Sequence, residues 1–398
     1  MNREDFPMLE KNYIYFDNGA TTFKPKKVID KMVDYYTNYT ANAHRGDYDL
    51  SHKVDIEYEN TREVVREFIN AREDREIVFT SGTTESMNEI VFSFMKYYLN
   101  KGDEVLITKT EHASNVLPWF ELEREIGIIV KFIPLDENYK VTISNLESVI
   151  TDKTKVVSLA YVTNVIGDIR PINEISKLVH QKDILLVVDG AQSVPHMKTD
   201  VIKDNIDFLA FSSHKMLGPT GVGVLYAKKK YLDMMRPFKY GGGMNSYFES
   251  NKALEYKEVP LRLEAGTQNI SGVLGLKEAI LYLSKIGMDR VHEYEMELRK
   301  YLVDKLDNIE NITVYNRESE AGIVTFNINK IFAEDASKYL NHYHICVRAG
   351  NHCSKMVKDV IDVKNTCRIS LYLYNTKEEI DKLIEVLENS KKIYDIIL

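Results

Sequence analysis

Short apolar segments alternate with amphipathic segments along the first 230 residues, and this alternation limits the possible fold more than any other feature. Helical patterns of about 10–15 residues separate most of the apolar segments, as in βαβ units. Such units build a mainly parallel sheet, with helices on its faces, and ligands bind at the carboxyl ends of its strands. The sequence therefore predicts an α/β fold, with strands near residues 77–80, 104–108, 128–134, 156–161, 184–188 and 208–211.

The pattern changes after a long helix predicted over residues 271–286. It becomes a helix at 291–306, strands at 312–314 and 322–328, and a helix at 333–342. Mixed strands and helices without regular alternation are typical of an α+β unit. We therefore expect a large cofactor-binding domain over residues 16–264 and a smaller C-terminal domain over 265–398. The N-terminal segment 1–15 is expected to pack on the smaller domain.

Charge and composition exclude several classes of protein. The chain has 398 residues with 52 basic and 60 acidic side chains, a formal charge of −8, which argues against nucleic acid as a partner. There is no run of 18 apolar residues and no apolar leader, which argues against a membrane protein. Three cysteines without a C-x₂-C pair favour a reducing cytoplasm and argue against a disulfide scaffold or a zinc site.

Two charged residues at predicted strand ends indicate a specific chemistry. Lys215 follows the apolar segment 208–211, and Asp189 closes the segment 185–188. A buried lysine has a lowered pKa and can form a Schiff base with a carbonyl group, although a lysine at a strand end can also simply extend into solvent. A buried carboxylate needs a cationic or hydrogen-bonding partner, and a protonated pyridine nitrogen provides one.

A third feature is a Gly-hydroxyl turn, Ser81-Gly-Thr-Thr-Glu85, between a predicted strand and a helix. Free N–H groups at a helix start bind phosphate, although Ser or Thr at this place can also be an ordinary helix cap. With Ser212 and His214 as further phosphate ligands, the set matches pyridoxal 5′-phosphate (PLP). His112, at another strand end, could stack on the ring and transfer protons, or be purely structural.

Several motifs resemble those of the class V aminotransferase family of PLP enzymes, and most of all its group II (SUF-type) cysteine desulfurase and selenocysteine lyase branch. They are Asp189-Gly-Ala-Gln192, Ser212-Ser-His-Lys-Met-Leu-Gly-Pro219, Glu111-His112 with Asn115 and Trp119, and Glu264-Ala-Gly-Thr267. The resemblance covers nearly the whole chain. It implies the aspartate aminotransferase-like fold (fold type I), with a mainly parallel seven-stranded sheet in the large domain plus a smaller C-terminal α+β domain.

The resemblance also implies a role for each matching residue. Lys215 would carry the cofactor, Asp189 would pair with its ring nitrogen, and His112 would stack on the ring and carry protons. The other implied cofactor ligands are Thr83, Thr84, Asn164, Gln192, Ser212, His214 and Thr267 of the partner subunit. The implied substrate ligands are Arg368, Asn164, His352 and Arg348. The bidentate guanidinium of Arg368 independently suits a carboxylate.

Cys353 decides the expected reaction within the family. It follows His352 and occupies the last position of the Arg-x-Gly-His-His-Cys motif, in a polar loop where a thiol can be partly ionised. Cys346 and Cys367 lie in apolar segments and are expected in the core. The expected enzyme is a cytoplasmic, homodimeric PLP-dependent cysteine desulfurase, a sulfurtransferase. It would convert L-cysteine into L-alanine and pass the sulfur through a Cys353 persulfide to an acceptor protein, in sulfur mobilisation or Fe–S cluster assembly.

The alternatives are a selenocysteine lyase acting on L-selenocysteine, another class V aminotransferase or lyase, and a non-catalytic regulatory protein that keeps the fold. Three positions depart from the family pattern: Asn351 replaces the first motif histidine, Tyr48 replaces another frequent histidine, and Gln268 replaces a proline. None of these changes removes a group that PLP chemistry requires. The first two could alter substrate preference, persulfide reactivity or the docking of the acceptor.

Overall fold

A seven-stranded sheet forms the centre of the protein, in a computed structural model that describes residues 2–390 and 393–397. Gly223–Ala227 runs antiparallel to both of its neighbours, and the other strands share one direction. The predicted mainly parallel seven-stranded sheet is thus confirmed. Its spatial order is Ile77–Thr80, Gly223–Ala227, Phe208–Ser212, Leu185–Asp189, Thr154–Ala160, Glu104–Ile107 and Ile129–Phe132.

Helices cover both faces of this sheet, because successive strand residues point to opposite sides. Leu186 and Val188 belong to one apolar core, and Leu185 and Val187 belong to the other. The helices of the first face are Lys26–Asn38, Asp49–Phe68, Ile172–His180 and Ile270–Ile286, with Ile143–Glu147 beside them; those of the second face are Thr83–Glu89 and Leu117–Ile126. The central strand Leu185–Asp189 is therefore apolar up to Asp189, whereas the edge strand Ile129–Phe132 is more exposed and includes Lys131.

A smaller four-stranded antiparallel sheet has its own apolar core. Its order is Ile312–Val314, Ile323–Ile328, Thr366–Ser370 and Arg348–Gly350, and the helices Met288–Leu306, Ala333–His342, Lys377–Glu388 and Ile393–Ile397 pack with it. The N-terminal strand Ile14–Tyr15 pairs with Ile345–Cys346. The division at residues 264 and 265 stays a prediction. The apolar side chains of helix Ile270–Ile286 contribute to the first core of the large sheet.

Local structure departs from regular α-helix at two places. The helix that begins at Thr83 widens into a π-helix over Ile90–Met95. Ala113–Asn115 forms a 3₁₀ turn capped by the His112 side chain, and helix Leu117–Ile126 follows it with Pro118 in its first turn. No helix in the described ranges is long and apolar enough to cross a membrane.

Candidate active site

A cavity of about 200 Å³ opens where the parallel strands end at their carboxyl termini. Most of the residues selected from the sequence line it, although they come from distant parts of the chain. These are Thr83, Thr84, His112, Asn164, Asp189, Gln192, Ser212, His214, Lys215, Arg348, His352 and Arg368. Cys353 and Thr267 are not among the lining residues.

Lys215 ends the short 3₁₀ turn that follows strand Phe208–Ser212. Burial is the main cause that lowers the pKa of its amine to about 8, and the nearby Asp189 partly opposes this shift. Residues of the N-terminal segment hold this turn in place. The His214 carbonyl accepts hydrogen bonds from the Thr22 amide and hydroxyl (3.0 and 3.2 Å) and from the Lys24 ammonium (3.1 Å). The amine is therefore held in a defined position with a substantial neutral fraction near pH 8.

Asp189 lies at the end of the neighbouring strand and is almost fully buried. Its Oδ1 accepts a hydrogen bond from the Ala191 amide at 2.9 Å, and the described residues give Oδ2 no hydrogen bond. Burial raises the pKa of this carboxyl group to about 6. A buried carboxylate with one free oxygen is suited to bind a cationic N–H group in the cavity.

The turn before helix Thr83–Glu89 offers hydrogen-bond donors to an anion. The Thr83 amide donates to Ser212 Oγ at 2.8 Å, and the two hydroxyl oxygens are 2.7 Å apart. A Cβ atom at Gly223 would lie 2.4 Å from the Gly82 backbone, so the glycine allows the turn to approach the neighbouring strand. His214 lines the same region, and burial lowers the pKa of its ring to about 4.

Thr267 lies away from the cavity of its own chain. Its Oγ1 accepts a hydrogen bond from Asn42 Nδ2 at 3.2 Å, in an exposed loop. Gln192 reaches the cavity and donates to the Gly19 carbonyl at 2.8 Å, while its Oε1 is buried without a partner in the described residues. A buried acceptor that lacks a donor indicates a missing polar group at this wall of the cavity.

His112 is held by a network that the sequence did not indicate. Its Nδ1 accepts a hydrogen bond from the Ser114 amide at 3.2 Å. Burial, and to a smaller extent the charge of Lys215, lowers the pKa of the imidazole to about 4. The preceding Glu111 is completely buried and pairs with Arg170, which is buried too. The backbone that carries His112 is therefore fixed by a buried ion pair.

Arg368 is also buried, and its two hydrogen bonds leave three of its five N–H donors without a partner in the described residues. Its Nη1 donates to the Asn164 carbonyl at 3.0 Å and its Nη2 donates to Asp17 at 2.9 Å, whereas Nε is buried without a partner in the described residues. Burial lowers the pKa of the guanidinium group. Arg368 lines the cavity, and a guanidinium group with unused N–H donors is suited to bind a substrate carboxylate. Asp17 was not among the site residues selected from the sequence.

Cys353 lies outside the cavity on an exposed turn. The Arg348 guanidinium lies 3.5 Å from its Sγ, and the Asn351 side chain accepts a hydrogen bond from the Cys353 amide at 3.1 Å. His352 is buried and bonded to Thr366 at 2.8 Å, and burial lowers the pKa of its ring to about 3. The hydrogen-bonding partner of the thiol is therefore Arg348.

The other two cysteines differ in burial. Cys367 lies in the core as predicted, and burial raises the pKa of its thiol to about 12. Cys346 is only partly buried, because the short strand that carries it lies at an edge beside Tyr15; its predicted core position is wrong. Tyr48 is exposed, and Gln268 donates to the Ala265 carbonyl. Within the described residues, no group of three or more His, Cys, Asp or Glu is placed to hold a metal ion.

Comparison with known proteins gives a consistent family. The Aminotransferase class-V model matches residues 14–383. A probable cysteine desulfurase from Halalkalibacterium halodurans is 42% identical over 394 residues, which cover 98% of this chain and 97% of that protein. The cysteine desulfurase structure from Thermococcus onnurineus is 36% identical with a TM-score of 0.93, covering 97% of this chain and 96% of that one. The cysteine desulfurase CsdA of Escherichia coli is 30% identical with a TM-score of 0.93, covering 98% of both chains.

Proposed function

The chain belongs to the class-V aminotransferase family, and we propose that it is a PLP-dependent cysteine desulfurase. It converts L-cysteine into L-alanine and transfers the sulfur to Cys353 as a persulfide. One observation carries this proposal: a half-buried lysine and a buried carboxylate share the cavity with a buried arginine, and an exposed cysteine lies on the next turn beside the cavity-lining Arg348. Relatives about 40% identical over nearly the whole chain are named cysteine desulfurases, which supports the same reaction.

The residues of the cavity fit PLP. The partly free carboxylate of Asp189 suits the ring nitrogen, the Thr83 and Ser212 hydroxyl groups suit the phosphate, and the unpaired Oε1 of Gln192 indicates a polar group at the same wall. Lys215 provides the amine for covalent attachment. When bound, PLP supplies an aldehyde for the substrate amine and a ring that accepts an electron pair from Cα. Asp189 keeps the ring nitrogen protonated by placing a negative charge beside it.

Arg368 orients the substrate, and Lys215 acts as the base that removes its Cα proton. Arg368 binds the carboxylate of cysteine with N–H donors that its two hydrogen bonds leave unused, while Asp17 and the Asn164 carbonyl hold the guanidinium plane in place. Lys215, once its amine is free, removes the proton from Cα. The lowered pKa of this amine provides a neutral base near physiological pH.

The sulfur transfer step belongs to Cys353. Its thiolate attacks the substrate sulfur, an S–S bond forms, and the Cβ–S bond breaks. The electron pair of the broken bond stays with the carbon fragment, which takes up one proton at Cβ to form the methyl group. The proton that Lys215 removed is returned to Cα, which gives alanine. Arg348, at 3.5 Å from Sγ, stabilises the attacking thiolate and the resulting persulfide.

We also propose that the enzyme is a cytoplasmic homodimer that passes the sulfur to an acceptor protein. Ile29, Val33 and Tyr36 of helix Lys26–Asn38 are 41%, 53% and 63% exposed, which supports a surface covered by a second copy. Thr267 of the partner subunit would then reach the phosphate, since this residue is exposed and remote from the cavity of its own chain.

Replacing Cys353 by serine tests the proposal. We expect Cys353→Ser to keep the absorbance of the bound cofactor but to lose alanine formation from cysteine by about 100-fold or more, the scale of losing a nucleophile. Cys346→Ser is the matched control, because Cys346 is partly exposed and lies outside the proposed chemistry. Alanine is measured by amino-acid analysis and the persulfide by mass spectrometry of the Cys353 peptide. Alanine formation at the wild-type rate by Cys353→Ser would overturn the assignment and favour a lyase that releases sulfide directly.

A further inference from the structure

The side chain of His112 is held at one ring nitrogen by Ser114. The Ser114 amide donates to Nδ1 at 3.2 Å, and Ser114 Oγ lies 3.1 Å from the same nitrogen. Ser114 Oγ is in turn 2.8 Å from Thr84 Oγ1, at the start of the helix whose first turn faces the phosphate region. All three residues line the cavity. In the described part of the chain, Nε2 has no hydrogen-bond partner.

A backbone amide can only donate, so Nδ1 of His112 must be the acceptor. A neutral imidazole with an accepting Nδ1 carries its proton on Nε2. Burial, and to a smaller extent the charges of Lys215, Arg348 and Arg368, disfavour a second proton on the ring and lower its pKa to about 4. The ring therefore has a donor and no free lone pair on the side away from Ser114.

We propose that Ser114 is a positioning residue that locks His112 in the Nε2–H tautomer, so that His112 offers the substrate a hydrogen-bond donor and not a base. This inference rests on the proposed desulfurase reaction. It states that His112 does not take the proton of the substrate thiol. It replaces the expectation that His112 carries protons to and from the substrate.

The sulfur transfer remains balanced without a base at the substrate thiol. Attack by the Cys353 thiolate leaves the thiol hydrogen on the transferred sulfur, as Cys353–S–SH. The carbon fragment keeps the electron pair of the Cβ–S bond and later takes one proton. A donor at Nε2 can stabilise electron-rich acceptor atoms of the substrate during this step without changing its own protonation state.

Nitrogen-15 NMR of the full-length enzyme, labelled at histidine, tests the tautomer directly. The chain has ten histidines, and the His112→Gln spectrum identifies the pair of ring signals that belongs to His112. With and without PLP, we expect a protonated Nε2 and an unprotonated Nδ1 from pH 6 to pH 8.5, with no titration. A proton on Nδ1, or a doubly protonated ring at pH 7, would overturn the proposal.

Two pairs of variants separate the donor from other roles. Ser114→Ala keeps the amide and should keep the tautomer, whereas Ser114→Pro lacks the amide and should give a mixture of tautomers; if Ser114→Pro does not fold, the wild-type spectrum decides alone. His112→Gln retains an N–H donor, and we expect it to form alanine at least about 10-fold faster than His112→Leu. Equal losses in both would contradict a donor role. Wild-type enzyme that forms no alanine would instead refute the proposed function itself.

Discussion

A buried glutamate at the end of helix Thr83–Glu89 provides a sharp test of the structure. Glu89 lies on helix Thr83–Glu89, just before the π-helix, and is only 2% exposed. Its Oε2 is buried without a hydrogen-bond partner in the described ranges. Burial, with a smaller contribution from Glu85, raises the pKa of the carboxyl group to about 8. Glu89 is therefore mostly protonated in the folded protein at neutral pH.

The sign and size of the effect follow from the two pKa values. In the unfolded chain the carboxyl group has a pKa near 4.5 and is ionised above pH 6, while the folded protein keeps the proton until about pH 8. The folded state thus binds more protons, so its stability is full at acid pH and falls as pH rises from about 4.5 to 8. Between pH 6 and pH 8 this loss amounts to about 2 kcal/mol.

Glu89→Gln removes the titration, so the stability of the variant relative to wild type should rise by about 2 kcal/mol between pH 6 and pH 8. Equilibrium urea unfolding of both proteins at pH 6, 7 and 8 measures this change, and the constant cost of the substitution cancels in the difference. Glu63→Gln, an exposed position on helix Asp49–Phe68, is the control and should give no comparable slope. A difference independent of pH would show that Glu89 is ionised in the folded protein.

Three further substitutions address the cavity. Arg368→Lys should lower kcat/KM for cysteine by about 10- to 100-fold, mainly through KM, because one charge-assisted hydrogen bond is lost; steady-state kinetics with saturating PLP measures it. Asp189→Asn should leave cofactor content nearly unchanged but reduce alanine formation by at least about 100-fold, since an amide cannot keep the ring nitrogen protonated; both are read by absorbance and amino-acid analysis. Gly223→Ala should weaken PLP retention during dialysis, because the new Cβ would lie 2.4 Å from the Gly82 backbone. Gly102→Ala is the control: its positive φ also disfavours alanine, but the new Cβ would meet nothing within 4 Å.

The sheet and most site residues could be predicted because their signals are local. A buried strand followed by a polar residue, as at Asp189 and Lys215, gives both the element and its position at the sheet edge. The π-helix could not be predicted, since its residues show the same apolar spacing as an ordinary helix. Ser114 and Arg170 were missed for a different reason. Ser114 is close to its partner His112 in the sequence and Arg170 is far from its partner Glu111, but both interactions depend on side-chain geometry that no sequence pattern records.

The turn that carries Cys353 explains why that cysteine stands apart from the two others. His352 and Cys353 both have left-handed backbone conformations, with φ of 53° and 60°, and each such non-glycine residue costs about 1–2 kcal/mol. Two hydrogen bonds from other parts of the chain hold the turn in this conformation. The Cys353 carbonyl accepts a hydrogen bond from the backbone amide of Ala113, in the turn after His112. The His352 carbonyl accepts one from the side-chain amide of Asn164.

Asn164 also links this turn to the substrate site, because its own carbonyl accepts from Arg368. Ala113, next to His112, and Asn164, which binds the Arg368 guanidinium, therefore offset the backbone strain of this turn. Asn351 closes the turn, because its side-chain oxygen accepts a hydrogen bond from the Cys353 amide. The Arg348 guanidinium, 3.5 Å from Sγ, is consequently the charged group that the structure places against the thiol.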